Sequence, residues 1–240
     1  MTAARKIMIV NPNTTESMTS AVVAGARAVA AHTTELIGST AVRGVESVES
    51  NVDEVWGALG VLEQVRAGEA AGMDGYVIAC FGDTGLAAAR ETARGPVVGM
   101  TEAALFTAAL LAARFAIITL PPRTREQSHR VLRDTGLWHR CTVRAIDVAV
   151  ADVAMGSMHV LDTLTAQARA AMDADAAEAI VLGCAGLSDL VAPLTAALNV
   201  PVVDGIAAAV TMVEGLLAQG LATSRASTYS APERVRRVIA

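Results

Sequence analysis

Val77-Ile78-Ala79-Cys80-Phe81-Gly82 returns, about 105 residues later, as Val181-Leu182-Gly183-Cys184-Ala185-Gly186. Each run is apolar, ends on a cysteine and passes into a small-residue turn. Pro96-Val97-Val98-Gly99 and Pro201-Val202-Val203-Asp204 follow at nearly the same offset. Ile9-Val10-Asn11-Pro12 also falls into step with Thr119-Leu120-Pro121-Pro122. Any two strand–helix units share an apolar texture, but texture alone does not put a cysteine at the same place in both.

Working outward, short β-rich runs alternate with Ala-rich helical stretches. The runs are 7–10, 35–39, 76–80, 96–99, 115–120, 142–148, 179–183 and 201–203. Helical patterns lie near 16–31, 52–67, 85–93, 102–113, 125–135, 158–172, 187–198 and 205–219. Thr14 or Thr15 is expected to cap the first helix, and Asn51 or Asp53 the second. Such alternation implies parallel βαβ units. The expected fold is α/β, with two pseudo-symmetric half-domains, each a mostly parallel sheet flanked by helices, and a cleft between them. The halves are read as residues 1–113, carrying Cys80, and 114–222, carrying Cys184. Residues 223–240 form a C-terminal tail that can pack back on the first half.

Composition narrows the function. Of the 240 residues, 53% are apolar and 18% charged, which excludes a disordered chain; aromatics are 3%, so small aliphatic side chains must fill the core. The sparse charge hints at surface covered by another subunit, a homo-oligomer. The longest apolar stretch, Ala103 to Leu120, is broken by Thr107, Arg114 and Thr119 and does not read as a membrane span. After Lys6 only a few apolar residues precede a polar run, unlike a signal peptide, so a cytoplasmic location is expected. The net charge is −5 with no basic block, so nucleic acid finds no electrostatic support. The three cysteines and four histidines show no metal-ligand spacing, and no metal is expected. Lys6 is the sole lysine and opens the first strand, away from where α/β sites sit. Chemistry that needs a lysine Schiff base is therefore disfavoured.

In parallel sheets, ligands bind beyond the carboxyl ends of strands, where helix N-termini present free N–H groups. Cys80 and Cys184 should both sit there, in a positive field that lowers a thiol from its free pKa of about 8.5. Cys141 has no counterpart in the first half and reads as a core residue. Halves facing each other would set the two sulfurs on opposite sides of a ligand. One thiolate could then take a proton from a carbon acid while the opposite thiol returns one to the other face, inverting the centre without cofactor or metal. An adjacent carbonyl must be stabilised as an enolate, and the small-residue turns could supply donors.

Val10-Asn11-Pro12-Asn13-Thr14, Ala79-Cys80-Phe81-Gly82-Asp83 and Leu182-Gly183-Cys184-Ala185-Gly186 closely resemble the hydantoin racemase family, within the aspartate/glutamate racemase superfamily. The resemblance extends over nearly the whole chain, including Gly44 to Glu49 and Thr223 to Tyr229. It implies cofactor-independent racemisation of 5-monosubstituted hydantoins, with allantoin as an alternative substrate, by an oligomeric enzyme. Carried over residue by residue, Cys80 and Cys184 are the acid/base pair. Asn11, Asn13 and Thr14 contact the ring, and Gly82, Asp83, Thr84, Ala185 and Gly186 hold the imide oxygens. Many relatives have Pro at the place of Thr84, Gly-Pro-x-x-Ile-Glu over Gly44 to Glu49, and Asp-Pro at Asp204-Gly205. Glu46, if it faces inward, would disfavour an anionic substituent.

From the residues alone, Asp83 is a second acid, an orienter of a thiol or a helix cap. Thr119, opposite Asn11 in the repeat, is expected to line the cleft. His159 reads as a capping or exposed residue, and Met155 to Met158 as a surface loop. Two other readings stand beside hydantoin racemisation. One is a different activity of the superfamily, such as aspartate or glutamate racemase, maleate isomerase or malonate decarboxylase. The other is a two-lobed small-molecule binding module, which would not need mirrored thiols.

Overall fold

The computed structural model describes residues 4–150 and 158–230, with backbone alone at 158 and 159. The Met155-Gly156-Ser157 loop and the tail beyond 230 lie outside the described residues, as does the side chain of His159. In chain order the elements are β1 (Arg5–Asn11), α1 (Glu16–Arg27), β2 (Thr34–Thr40), α2 (Asn51–Ala70), β3 (Gly75–Ile78), α3 (Leu86–Thr92), β4 (Val97–Gly99) and α4 (Met100–Leu111). Then come β5 (Phe115–Thr119), α5 (Arg125–Asp134), β6 (Cys141–Ala145), α6 (Met158–Asp175), β7 (Ala179–Gly183), α7 (Val191–Leu198), β8 (Val202–Val203) and α8 (Gly205–Ala218). They build two four-stranded sheets of matching order, β2-β1-β3-β4 and β6-β5-β7-β8, every pairing parallel. The central strands β1, β3, β5 and β7 read as unbroken apolar runs because both faces of each sheet are covered by helices.

Each sheet comes from one stretch of chain, but the helices do not keep to that division. Ile206, Ala209, Val210 and Val213 of α8 share a core with Ile7, Ile9 and Val77 of the first sheet. Ala104, Leu105 and Ala108 of α4 share one with Phe115, Ile117 and Val181 of the second. Each half thus lends its last helix to the other. The exchange demands close backbone approach. A Cβ on Gly205 would stand 2.6 Å from the Met100 carbonyl oxygen, and one on Gly75 would stand 2.6 Å from Val213 Cγ1. Residues 223–230 run along the first half: Thr223 Oγ1 donates to the Gly95 carbonyl, and Arg225 Nη1 to the Arg90 and Glu91 carbonyls.

Three local expectations change. The cap of α2 is Ser50, whose hydroxyl accepts from the Asp53 N–H, not Asn51 or Asp53. Thr15 precedes α1 but spends its hydroxyl on the Glu46 carbonyl, so neither it nor Thr14 caps through its side chain. The helix expected from Leu187 opens instead as a 3-10 turn, Ala185–Leu190, and becomes α-helical at Val191. Pro193 is the reason: it has no N–H to give an earlier α-turn and its ring would clash with the carbonyl four residues back. No described helix is long and apolar enough to cross a membrane.

Candidate active site

The carboxyl ends of β1, β3, β5 and β7 converge on one cleft with about 480 Å³ of empty space, open in part to solvent. Cys80 reaches it just beyond β3 and Cys184 just beyond β7, so each sheet contributes one thiol. Asn13, Thr119 and Ala185 line the same space; Asn11, Thr14, Gly82, Asp83, Thr84 and Gly186 do not.

Several of these residues have identifiable tasks. Asn11 is buried and organises the first loop: Nδ2 donates to Asn13 Oδ1 and Thr19 Oγ1, and Oδ1 accepts from the Asn13 N–H. With Asn13 Oδ1 also taken by the Thr15 N–H, the Asn13 carboxamide is fixed with its NH2 group left over. Thr84 Oγ1 lies 3.5 Å from Cys80 Sγ. The Gly82 N–H, expected to face an imide oxygen, is consumed by Thr101 Oγ1 at 2.7 Å. The Gly82 carbonyl accepts from Arg130 Nη2, and the same guanidinium makes two bonds to Glu54, at 2.9 and 2.6 Å. This clamp joins α2, α5 and the Cys80 loop across the two halves. Thr119 Oγ1 pairs with Thr124 Oγ1 and lies 3.3 Å from the Gly183 carbonyl, which ties together the ends of β5 and β7.

Asp83 resolves in favour of a cap, but of a distant helix. Oδ1 accepts from the Thr101 N–H at 2.8 Å and Oδ2 from the Glu102 N–H at 2.9 Å, at the start of α4. Gly99 leaves room for it, since a Cβ there would stand 2.3 Å from Asp83 Cγ. Burial, with Glu102 adding repulsion, raises the carboxyl to about 7, although the two backbone donors oppose the shift.

The thiols behave oppositely to the expectation of a helix-lowered pKa. Burial pushes Cys80 up to about 12, with Asp83, Glu54 and Cys184 adding negative potential against the Thr84 contact. Burial pushes Cys184 up to about 11, opposed by the Gly186 N–H and supported by Glu49. The local geometry explains the reversal. The loop 81–85 separates Cys80 from the first turn of α3, and Cys184 precedes a short 3-10 turn in place of a full α-helix. At neutral pH the Cys184 thiolate is therefore far scarcer than that of a free cysteine, and it grows about tenfold per pH unit up to the raised value. Iodoacetamide labelling of Cys184, followed by peptide mass mapping, is expected to be slow at pH 7 and to climb steeply to pH 10. A rate at pH 7 matching free cysteine would contradict this.

The loop of Ser47 and Val48, expected from the resemblance to border the 5-substituent, does line the cleft, while Val150, Thr124 and Gln127 of the second half, also on the cleft wall, were missed. None belongs to the repeat, so no local signal marked them. Glu46 is exposed and Ser47 and Val48 face the cleft instead. The loop's influential acid is Glu49, which accepts from Ser47 Oγ at 2.9 Å. Among the described residues no group of three or more His, Cys, Asp or Glu side chains is placed to hold a metal ion.

Two parallel lobes of this topology facing one cleft are the architecture of a family of racemases. The chain belongs to the Asp/Glu/Hydantoin racemase family, whose model matches residues 7–213. It is 42% identical to a hydantoin racemase of Rhizobium meliloti over 94% of both chains. The structure of an allantoin racemase from Klebsiella pneumoniae is 44% identical with a TM-score of 0.93, covering 96% of this chain and 94% of that one. An allantoin racemase from Pseudomonas fluorescens is 37% identical with a TM-score of 0.94, covering 98% of this chain and 100% of that one.

Proposed function

We propose that this enzyme racemises 5-monosubstituted hydantoins, allantoin among them, by proton transfer at C5 between Cys80 and Cys184, with no cofactor. The observation that carries the reading is one thiol from each sheet on a single cleft. The thiolate of one cysteine takes the C5 proton, and the bonding electrons move onto the neighbouring carbonyl oxygen as an enolate. The thiol of the other delivers its proton to the opposite face of C5, the carbonyl re-forms, and the two cysteines have exchanged protonation states. The spare NH2 of Asn13 is the donor best set to hold the enolate oxygen, since Asn11 fixes it beforehand.

Charge supports a neutral ring over an amino acid or dicarboxylate. Among the described residues no Lys or Arg lines the cleft, and the groups that act on its thiols are Glu49, Glu54 and Asp83. A free carboxylate would meet repulsion with no cation to pair. We further read the protein as a cytoplasmic homo-oligomer of two half-domains, 1–113 and 114–222, with small-molecule substrate and neither nucleic acid nor membrane as partner.

A panel of optically pure 5-substituted hydantoins, followed by polarimetry beside aspartate, glutamate and maleate, tests this. Hydantoins are expected to lose rotation, with deuterium entering C5 from deuterium oxide, and the carboxylates to remain unchanged. Turnover of a carboxylate alone would move the assignment elsewhere in the superfamily. Ligand binding without any solvent exchange would favour a binding module.

A further inference from the structure

We propose that Gln127 reads the group carried on C5, and that the group it selects is a neutral hydrogen-bonding substituent of the amide or urea class; this rests on the hydantoin reading above. Gln127 lies in the first turn of α5, is 6% exposed and lines the cleft together with Ser47 and Val48. A primary carboxamide carries two donors and an acceptor. Here, among the described residues, the side-chain amide has no hydrogen-bond partner. Its polar atoms are not among the fully buried ones without a partner, so they meet the open cleft, where a ligand's polar group can take the place of solvent.

The other polar groups of this wall are already committed. Thr124 Oγ1 pairs with Thr119 Oγ1 and donates to the Pro121 carbonyl, and Ser47 Oγ donates to Glu49. The remaining walls include Met18, Leu120 and Val150, which any aliphatic substituent would satisfy. Gln127 is therefore the group on this wall that tells a polar substituent from an alkyl one. Gly82 gives it room, as a Cβ there would stand 3.3 Å from Gln127 Cβ. Among the described residues no Lys or Arg lines the cleft, and the nearby Arg130 is taken up by Glu54, so nothing on this wall favours a charged group. A urea fits the need, its carbonyl accepting from the Gln127 NH2 while its N–H donates to Oε1.

Allantoin and 5-isobutylhydantoin make a matched pair of probes, because the isobutyl group has the branching of the ureido group without its hydrogen bonds. Initial rates of C5 deuterium incorporation, less the uncatalysed rate, give kcat/KM for each. Wild-type enzyme is expected to favour allantoin by tens-fold, the scale of one added polar contact. Gln127→Leu and the length-matched Gln127→Met are expected to lose at least tenfold on allantoin, with the isobutyl compound held or improved. Two variants keep the test open if one folds poorly. A wild-type preference for the isobutyl compound, or variants that scale both substrates equally, overturns the proposal while racemisation itself stands. Failure of the wild-type enzyme to exchange C5 of any hydantoin overturns the racemase reading, and the role of Gln127 with it.

Discussion

Replacing either Cys80 or Cys184 by serine lowers racemisation by about 10³-fold, within the range a positioned acid or base contributes. Serine preserves the shape of the side chain, so the fold remains while the proton carrier is lost. The informative readout is the half-reaction. With Cys80→Ser, the enantiomer whose C5–H faces Cys184 still exchanges that hydrogen in deuterium oxide but does not invert. Cys184→Ser shows the same behaviour with the opposite hand, and the double variant exchanges neither. Cys141→Ser is the control. Its sulfur starts β6, donates to the Thr142 carbonyl and packs in the core of the second sheet, away from the cleft, so racemisation is retained. Full racemisation by both active-site single variants would dismiss the two-thiol mechanism. Loss of exchange on both enantiomers in one variant, with the other unaffected, would point to one base and a solvent-supplied proton.

The repeated strand–cysteine–turn carried much of this fold, because a cysteine at the same place in two parallel units is a long-range fact written locally. The alternation of apolar runs with helical stretches implied parallel strands but not their order within each sheet. What it could not show was the exchange of α4 and α8. Both are Ala-rich and apolar nearly all round, so their sequences do not say which sheet they cover. At the site, Asn13, Thr119 and Ala185 were legible from their places after strands. Asp83 was not: its partners are the N–H groups of Thr101 and Glu102, in a helix that approaches only once the sheet has formed. Nor were the thiol pKa values, which depend on enclosure and on Glu49 and Glu54 from other parts of the chain. Gln127 lies on an amphipathic helix with nothing in its surroundings to distinguish it from a surface glutamine.

The second large effect is expected at Gly183, one residue before Cys184. β7 pairs with β5 so that Gly183 stands opposite Thr119. A Cβ at Gly183 would lie 2.7 Å from both Cα and Cβ of Thr119 and 2.9 Å from the Ile118 carbonyl oxygen. These atoms are backbone or directly attached to it, so no rotamer change relieves the overlap and the strand ends must part. Parting them loosens the Thr119–Gly183 contact and carries Cys184 away from Asn13. Gly183→Ala should therefore cost about 2–3 kcal/mol, the upper part of the usual range for overpacking. It should also lower kcat at least a hundredfold, as a displacement of about 1 Å at reacting groups does. The repeat supplies its own comparison. Ala79 occupies the matching place before Cys80, where its methyl group is buried in the core of the first sheet without such a neighbour. Ala79→Gly removes only that methyl and adds chain entropy, a loss of about 1 kcal/mol with most activity kept. Urea unfolding and kcat measured on the two variants separate the explanations. If Gly183→Ala resembles Ala79→Gly in both, the close approach of β5 and β7 does not hold Cys184 in place.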